Sequence, residues 1–363
     1  MERAYKRWFC GFGAAVVLLL AACAAVVYTV DPALYYRMPE DGKAVFFNER
    51  YQSAGMVKNV PAETVLIGTS MAANYRAAKI GEIFGGTALR ITLPDGYFSE
   101  FDQVMETLYR HQSPKRVIFG LDMNVMIRDE SNLSGVMPGY LYNRSVLDDA
   151  QYLLNKDNLY YSAYALLNQR KGTLQTLDEG FTWDQDRWWS HKSALIIYQR
   201  PPQAETKVPE DAYLERVRAN LAVMDRWFRG HPDTEFRVFL SPYSLLSWDK
   251  MDRLGDMDAM LAALELTCHS LMEYDNVSLY GYLMDREFVE DLDNYEDHVH
   301  HSPQMGNRLL AKMAAEEGRL TKENVAQTIA NWREFVVNYD YEKFWDEAYW
   351  AKWYQDKAAG QTS

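Results

Sequence analysis

The segment "VLIGTSMAAN", Val65 to Asn74, decides the fold. Its apolar run stops at Gly68, two hydroxyl residues follow, and small residues continue the chain. A short apolar run bounded by a turn reads as a buried strand. Thr69 and Ser70 then stand where that strand leaves its sheet. Ser70 is there either as the cap of the next helix or as a nucleophile presented at the sheet edge.

Outward from this corner, strands alternate with helices. "ALRITLP" (88–94) is a second strand, stopped by Pro94-Asp95-Gly96, and "RVIFGLDM" (116–123) is a third. "EFRVFLSPYS" (235–244) and "NVSLYGYL" (276–283) supply the fourth and fifth. Helical spacing is expected over 71–84, 99–112, 210–229 and 250–273, and from Pro303 to about Glu317. This alternation predicts right-handed βαβ units. The expected fold class is α/β, a three-layer α/β/α domain with a five-stranded parallel sheet of flavodoxin-like kind. The domain runs over 61–320. Residues 125–208, long and aromatic, read as one large helical insertion after the third strand. Within them, "WDQDRWW" (183–189) reads as a packed loop or an acceptor-binding wall.

Residues 31–60 read as a connector, with Pro32, Pro39 and Gly42 as punctuation. Residues 321–363 form an aromatic-rich helical tail, in which Trp345, Tyr349 and Trp353 would share one helix face. Trp8 to Val30 is an almost unbroken apolar run, preceded by Arg3, Lys6 and Arg7. It exceeds the ~20 residues needed to cross a bilayer. The positive-inside rule places residues 1–30 as a cytoplasmic tip and anchor, and the rest of the chain outside the membrane. The same run also reads as a cleaved signal peptide. "LAAC", ending at Cys23, offers a third reading as a lipoprotein signal.

Composition narrows the chemistry. The 363-residue chain is 48% hydrophobic and 25% charged, so it can bury a sizeable core without staples. Two of its three cysteines, Cys10 and Cys23, lie in the apolar run, which leaves Cys268 with no intrachain partner. A net charge of -13 argues against nucleic acid as a partner. The aromatic content, 14%, suits either a large core or a sugar-binding surface.

In an open parallel sheet, ligands bind beyond the carboxyl ends of the strands. Ser70, Asp95, Gly96, Asp122, Asn124 and Ser241 all fall there. The segment after the fifth strand, "DNYEDHVHHSPQMGNRLL" (293–310), brings Asp297, His298, His300 and His301 to the same edge, before a helix opened by Ser302 and Pro303. Serine chemistry needs a base for the hydroxyl proton and a carboxylate to orient that base. His300 and Asp297, three apart, can be those groups. The amides of Ser70 and Gly96 are the natural oxyanion donors. His298 and His301 are expected to face solvent or to support the site from behind. Asp297, His298 and His300 also form a candidate metal set for a phosphoesterase.

"IGTS" after a first strand, a glycine after the second, and D-x-x-H before the last helix together resemble the SGNH (GDSL-type) hydrolase superfamily. The resemblance covers about 60 to 320. It implies Ser70 as nucleophile, His300 and Asp297 as its partners, Gly96 as an oxyanion donor, and no cofactor or metal. The family's third donor is an asparagine in G-x-N-D. Here "GLDMN" puts Asp122 in its place and Asn124 two residues later. More narrowly, the anchor and layout are similar to bacterial envelope proteins that accompany membrane-bound O-acyltransferases in polysaccharide acylation. This implies an extracytoplasmic serine esterase or O-acyltransferase acting on an acylated envelope polysaccharide, with a membrane-bound O-acyltransferase as partner. The alternative is a non-catalytic glycan-binding or assembly subunit of such a complex.

Overall fold

The structure, a computed structural model, describes residues 2–183 and 187–359. The chain forms two compact units. One comprises 62–99, 114–134 and residues from 183 onward. The other comprises the N-terminal 61 residues, 100–113 and 135–182.

The first unit is built on one sheet of six strands: β1 Thr64–Gly68, β2 Ala88–Thr92, β3 Arg116–Leu121, β4 Glu235–Leu240, β5 Val277–Tyr280 and β6 Arg319–Leu320. Their order is β2-β1-β3-β4-β5-β6, with the first five parallel and β6 antiparallel to β5. The sheet thus has six strands, not the five expected. β6 is only two residues long, so it carries no period for a sequence reading to find. It is set by Gly318, in the left-handed region at φ +74, whose carbonyl accepts the Gly281 amide at 2.9 Å. The first five strands fall at their expected places, β1 starting one residue early at Thr64. All five residues of β1 are buried, as the near-continuous apolar runs of a parallel sheet require.

Register places Ile67 beside Ile91 and Phe119, and Val238 beside Phe119 and Leu279, so the core runs through the sheet's centre. Gly68 pairs with Gly120. A Cβ on Gly68 would lie 2.9 Å from the Ala72 Cβ and 3.3 Å from the Gly120 carbonyl. The corner after β1 can be this tight only with glycine there.

Helices Ala77–Phe84, Leu214–Gly230, Leu245–Leu254, Met257–Leu271 and Pro303–Ala314 connect the strands. The helix expected over 71–84 starts only at Ala77, because Ser70–Ala72 form a single 3₁₀ turn capped by Thr69. The helix expected over 250–273 is two helices. Gly255, at φ +76, ends the first, and a Cβ there would lie 2.6 Å from the Thr206 carbonyl. The C-terminal segment belongs to this unit, with Trp332 packed edge-on against Trp248. Trp345 does not share a helix face with Tyr349 and Trp353. Asp346 caps a new helix, Glu347–Ala358, and leaves Trp345 in the preceding 3₁₀ turn.

The second unit carries the apolar helix Glu2–Val30, whose central stretch has a mean hydropathy of 2.6, long and apolar enough to span a membrane or to act as a signal sequence. It also holds helices Glu49–Asn59 and Lys156–Lys171, and a short antiparallel pair, Lys43–Ala44 with Gln175–Thr176. The stretch 125–208 is therefore not one insertion. Residues 135–182 join this unit, while 125–134 and 183–208 belong with the sheet.

Candidate functional site

The strand order turns around between the paired strands β1 and β3: the chain leaves β1 toward β2 on one side and leaves β3 toward β4 on the other. This is the switch point where open α/β sheets bind ligands. A cavity of about 830 Å³ opens at that place. Ser70 and Thr69 enter it from β1, Asp95 and Tyr97 from β2, Asp122 and Asn124 from β3, and His298 to His300 from the loop after β5.

Ser70 opens the 3₁₀ turn at the end of β1. Its Oγ lies 2.8 Å from Nε2 of His300, and Nδ1 of His300 lies 2.7 Å from Oδ2 of Asp297. A carboxylate only accepts, so the ring proton sits on Nδ1, and Nε2 is left to accept the Ser70 O–H. The other oxygen of Asp297 accepts the amides of Val299 at 2.8 Å and His300 at 2.7 Å. The D-x-x-H spacing thus lets one carboxylate fold its own loop and hold the imidazole together. Burial pushes the Asp297 carboxyl up, but the hydrogen bond and charge of His300 and the two amides outweigh it and hold it down at about 2. The carboxylate is ionised at neutral pH, as an orienting group must be.

The loop is held from several sides. Tyr295 bridges to His301, and the Glu296 amide donates to the His300 carbonyl at 3.1 Å. The His298 carbonyl accepts the Ser244 amide and the hydroxyls of Ser244 and Ser247, at 3.1, 2.8 and 2.6 Å. Sequence reasoning missed these two serines. The repeated serines of "SPYSLLS" (241–247), just after β4 at the sheet edge, were their signal. Ser241 itself does not line the cavity, and its buried hydroxyl has no hydrogen-bond partner among the described residues. Trp183 meets the His300 ring edge-on at 4.9 Å, and Arg187 lies over Trp183 and pairs with Glu296. The loop expected over 183–189 thus does pack, at its ends. Residues 184–186 lie outside the described residues.

The neighbouring histidines are not solvent groups. His301 is buried, edge-on to Tyr75, with Nδ1 donating to the Ser302 carbonyl at 3.2 Å. Burial lowers its pKa to about 4. Burial and the nearby Lys250 ammonium do the same for His298. Both are neutral at pH 7. Among the described residues, no three His, Cys, Asp or Glu side chains converge as a metal site.

The oxyanion side differs from expectation. The Gly96 amide donates to the Leu93 carbonyl at 2.9 Å, closing the turn Leu93-Pro94-Asp95-Gly96, and Gly96 does not line the cavity. Asp95 takes the left-handed conformation, φ +54, that such a turn needs after proline. The hydrogen expected to face an oxyanion is therefore already used. Asp122 is used as well. It accepts from the Tyr243 hydroxyl, from the Asn124 amide at 2.9 Å and from the Thr69 hydroxyl at 3.2 Å. It braces the corner that carries Ser70. Tyr243, a second group missed in the sequence, also accepts the Asn124 amide at 3.0 Å. The Asn124 carboxamide lines the cavity with no hydrogen-bond partner among the described residues. With the Ser70 amide, it is a candidate donor at the β1 and β3 ends of the cavity.

No family model matches the sequence, and no curated protein matches it. Among solved structures, the chain is similar to a protein from Streptococcus pneumonia provisionally described as a platelet activating factor. The identity is 12% over 74% of this chain and 89% of that one, with a TM-score of 0.36. That likeness is too slight to carry an argument about fold or activity.

Proposed function

We propose that the sheet unit is a serine esterase or O-acyltransferase of the SGNH kind, in a three-layer α/β/α arrangement. The single observation that carries the reading is the continuous hydrogen-bonded chain from Ser70 through His300 to Asp297, opening into a cavity at the switch point. Ser70 Oγ attacks an acyl carbonyl as His300 Nε2 takes its proton. Asp297 holds the imidazolium that forms. The Ser70 amide and the Asn124 carboxamide meet the oxyanion. His300 returns the proton to the leaving oxygen, and an ester to Ser70 remains. Water or a sugar hydroxyl, deprotonated by His300, then releases the acyl group and restores Ser70.

The substrate in this reading is an acylated cell-envelope polysaccharide, and the partner is a membrane-bound O-acyltransferase. The Arg3, Lys6 and Arg7 cluster before the apolar run supports a single-pass anchor with its N-terminus in the cytoplasm. The Gly96 amide, spent in its turn, favours a second reading, a non-catalytic glycan-binding or assembly subunit.

A fluorophosphonate probe on the full chain separates the two. The catalytic reading expects a single adduct, mapped to Ser70, absent in Ser70→Ala and strongly slowed in His300→Ala. A folded protein that takes no adduct between mildly acidic and alkaline pH removes the catalytic reading and leaves the subunit.

A further inference from the structure

The unit that carries the apolar helix also holds a helix that buries polar side chains and exposes an apolar and tyrosine stripe between charged ends. In Lys156–Lys171, Asn158 and Ser162 are buried, while Tyr160, Tyr164, Leu166 and Leu167 are exposed, Leu167 by 54%. A helix facing water does the opposite. At 100° per residue, Tyr160, Tyr164 and Leu167 fall within an arc of about 60°. The rings of Tyr160 and Tyr164 stack 6.3 Å apart, and Lys156 and Lys171 stand at the two ends of the stripe. Leu147, in a turn just before, is 85% exposed, and Val146 beside it is exposed too.

This helix packs against the apolar helix Glu2–Val30, as does Asp149–Leu153. The apolar helix is exposed as far as Ala22, partly covered at Cys23 and Ala24, and fully buried at Val27. Thr29 and Val30 share a groove of about 280 Å³ with Ala165, Leu166 and Gln169. The junction is fixed. Asp31, at φ +51, accepts the amides of Tyr35, Tyr36 and Arg37 and the hydroxyl of Tyr152.

Depth follows from helix geometry. Cys23 to Val30 covers about 10 Å of helix axis. Trp8 to Val30 covers about 33 Å, against a hydrocarbon core of about 30 Å. Whatever flanks Cys23 to Val30 therefore sits at the edge of the hydrocarbon. Tyrosine is enriched at that level, and lysine stems can reach from it to water.

We infer that the Tyr160, Tyr164 and Leu167 face of helix Lys156–Lys171, with Val146 and Leu147, lies in the interfacial layer of the bilayer that Glu2–Val30 enters. This rests on Glu2–Val30 being an uncleaved span, and not on the serine chemistry. The occupant is lipid because the helix packs against the end of the span, at the edge of the hydrocarbon, and this face carries apolar and tyrosine side chains where a water-facing helix would be polar.

The test uses the full chain in phosphatidylcholine–phosphatidylglycerol vesicles, with Cys10 and Cys23 changed to serine. An environment-sensitive dye is attached at Tyr164→Cys, at Leu167→Cys and, as the reference for the span, at Val16→Cys. Nitroxide-bearing lipid should quench the dye at all three sites by about twofold or more, with aqueous iodide quenching weak at each. If Val16→Cys responds to the lipid quencher but 164 and 167 respond only to iodide, the face is in water and the inference fails. If 164 and 167 respond to neither, a second copy or a partner protein covers the face, which overturns it equally. No lipid quenching at Val16→Cys removes the span itself.

Discussion

Two turns stand side by side at the carboxyl edge of one sheet, and they use their hydrogens in opposite ways. After β1, Gly68 lets the chain fold tightly, Thr69 caps the 3₁₀ turn, and the Ser70 hydroxyl faces His300. After β2, Pro94 and the left-handed Asp95 close a turn that takes the Gly96 amide for itself. Both segments carry a glycine beside a polar residue at the right edge. Both put a side chain at the cavity, Ser70 and Asp95, but only the second spends its glycine amide inside its own turn. The residue type at a position sets what a group could do, and the local turn decides whether its hydrogen is still available.

The comparison breaks most visibly at the far end of the Ser70 chain. Asp297→Asn replaces an acceptor-only carboxylate with an amide that can donate, so in the proposed chemistry His300 would lose the tautomer that accepts the Ser70 proton. The rate of fluorophosphonate labelling should fall by about 10²–10⁴-fold while the fold persists. A smaller change would mean that His300 is oriented by something other than Asp297. Next comes the oxyanion side. Asn124→Ala should slow labelling by about 10²-fold, the usual cost of one donor. Asp122→Asn should cost about tenfold or less, since the oxygen facing Tyr243 and Asn124 is kept. Faster labelling in Asp122→Asn would instead place a donor at position 122, as in G-x-N-D, whereas a loss larger than that of Asn124→Ala would make the Asp122 brace outweigh the Asn124 amide.

Stability against pH sharpens the same picture. His301 is buried and His298 half-buried at the cavity wall, and both are neutral at pH 7, with pKa values lowered to about 4. An unfolded histidine binds its proton near pH 6.5, so their contribution is complete above that value and is lost as pH falls toward 4. Asp297 is lowered to about 2. Its contribution is complete above its unfolded value near 4 and is lost as pH falls through about 2, to the extent of about 2 kcal/mol. Denaturant unfolding in detergent should therefore show two acid limbs. Asp297→Asn should shrink the lower limb, to which Asp293 and Glu287, also held below the ordinary carboxylate range, contribute as well, and leave the upper one.

Five strands and the meeting of Ser70, His300 and Asp297 at one edge could be read from the sequence, because each leaves a local mark. Buried parallel strands are apolar runs, and D-x-x-H spacing lets one carboxylate bond both its own loop and the ring. What could not be read depends on partners distant in sequence or on single backbone angles. Strand β6 is two residues long, and Gly255 breaks a helix through one left-handed φ. Tyr243, Ser244 and Ser247 hold Asp122 and His298 from across the sheet edge, 121, 54 and 51 residues away. The split of 125–208 escapes for a similar reason. Residues 135–182 fold with a helix more than a hundred positions earlier, and their composition does not announce it.

The smallest expected effect tests the second turn directly. Asp95 holds a left-handed conformation that costs a non-glycine residue about 1–2 kcal/mol. Asp95→Gly removes that cost. It also loses the exposed pair with Arg128 and the hydrogen bond from Ser134, and it loosens the unfolded chain. These changes offset one another, so stability should move by about 1 kcal/mol or less in thermal unfolding. The turn itself is kept, and the Gly96 amide still points at Leu93. Labelling of Ser70 by a small fluorophosphonate should therefore stay within about threefold of wild type, because the second turn lends no hydrogen to the reaction. A drop of tenfold or more with the fold intact would show that this turn opens during reaction and turns its amide toward the oxyanion. In that case the two turns would differ only at rest.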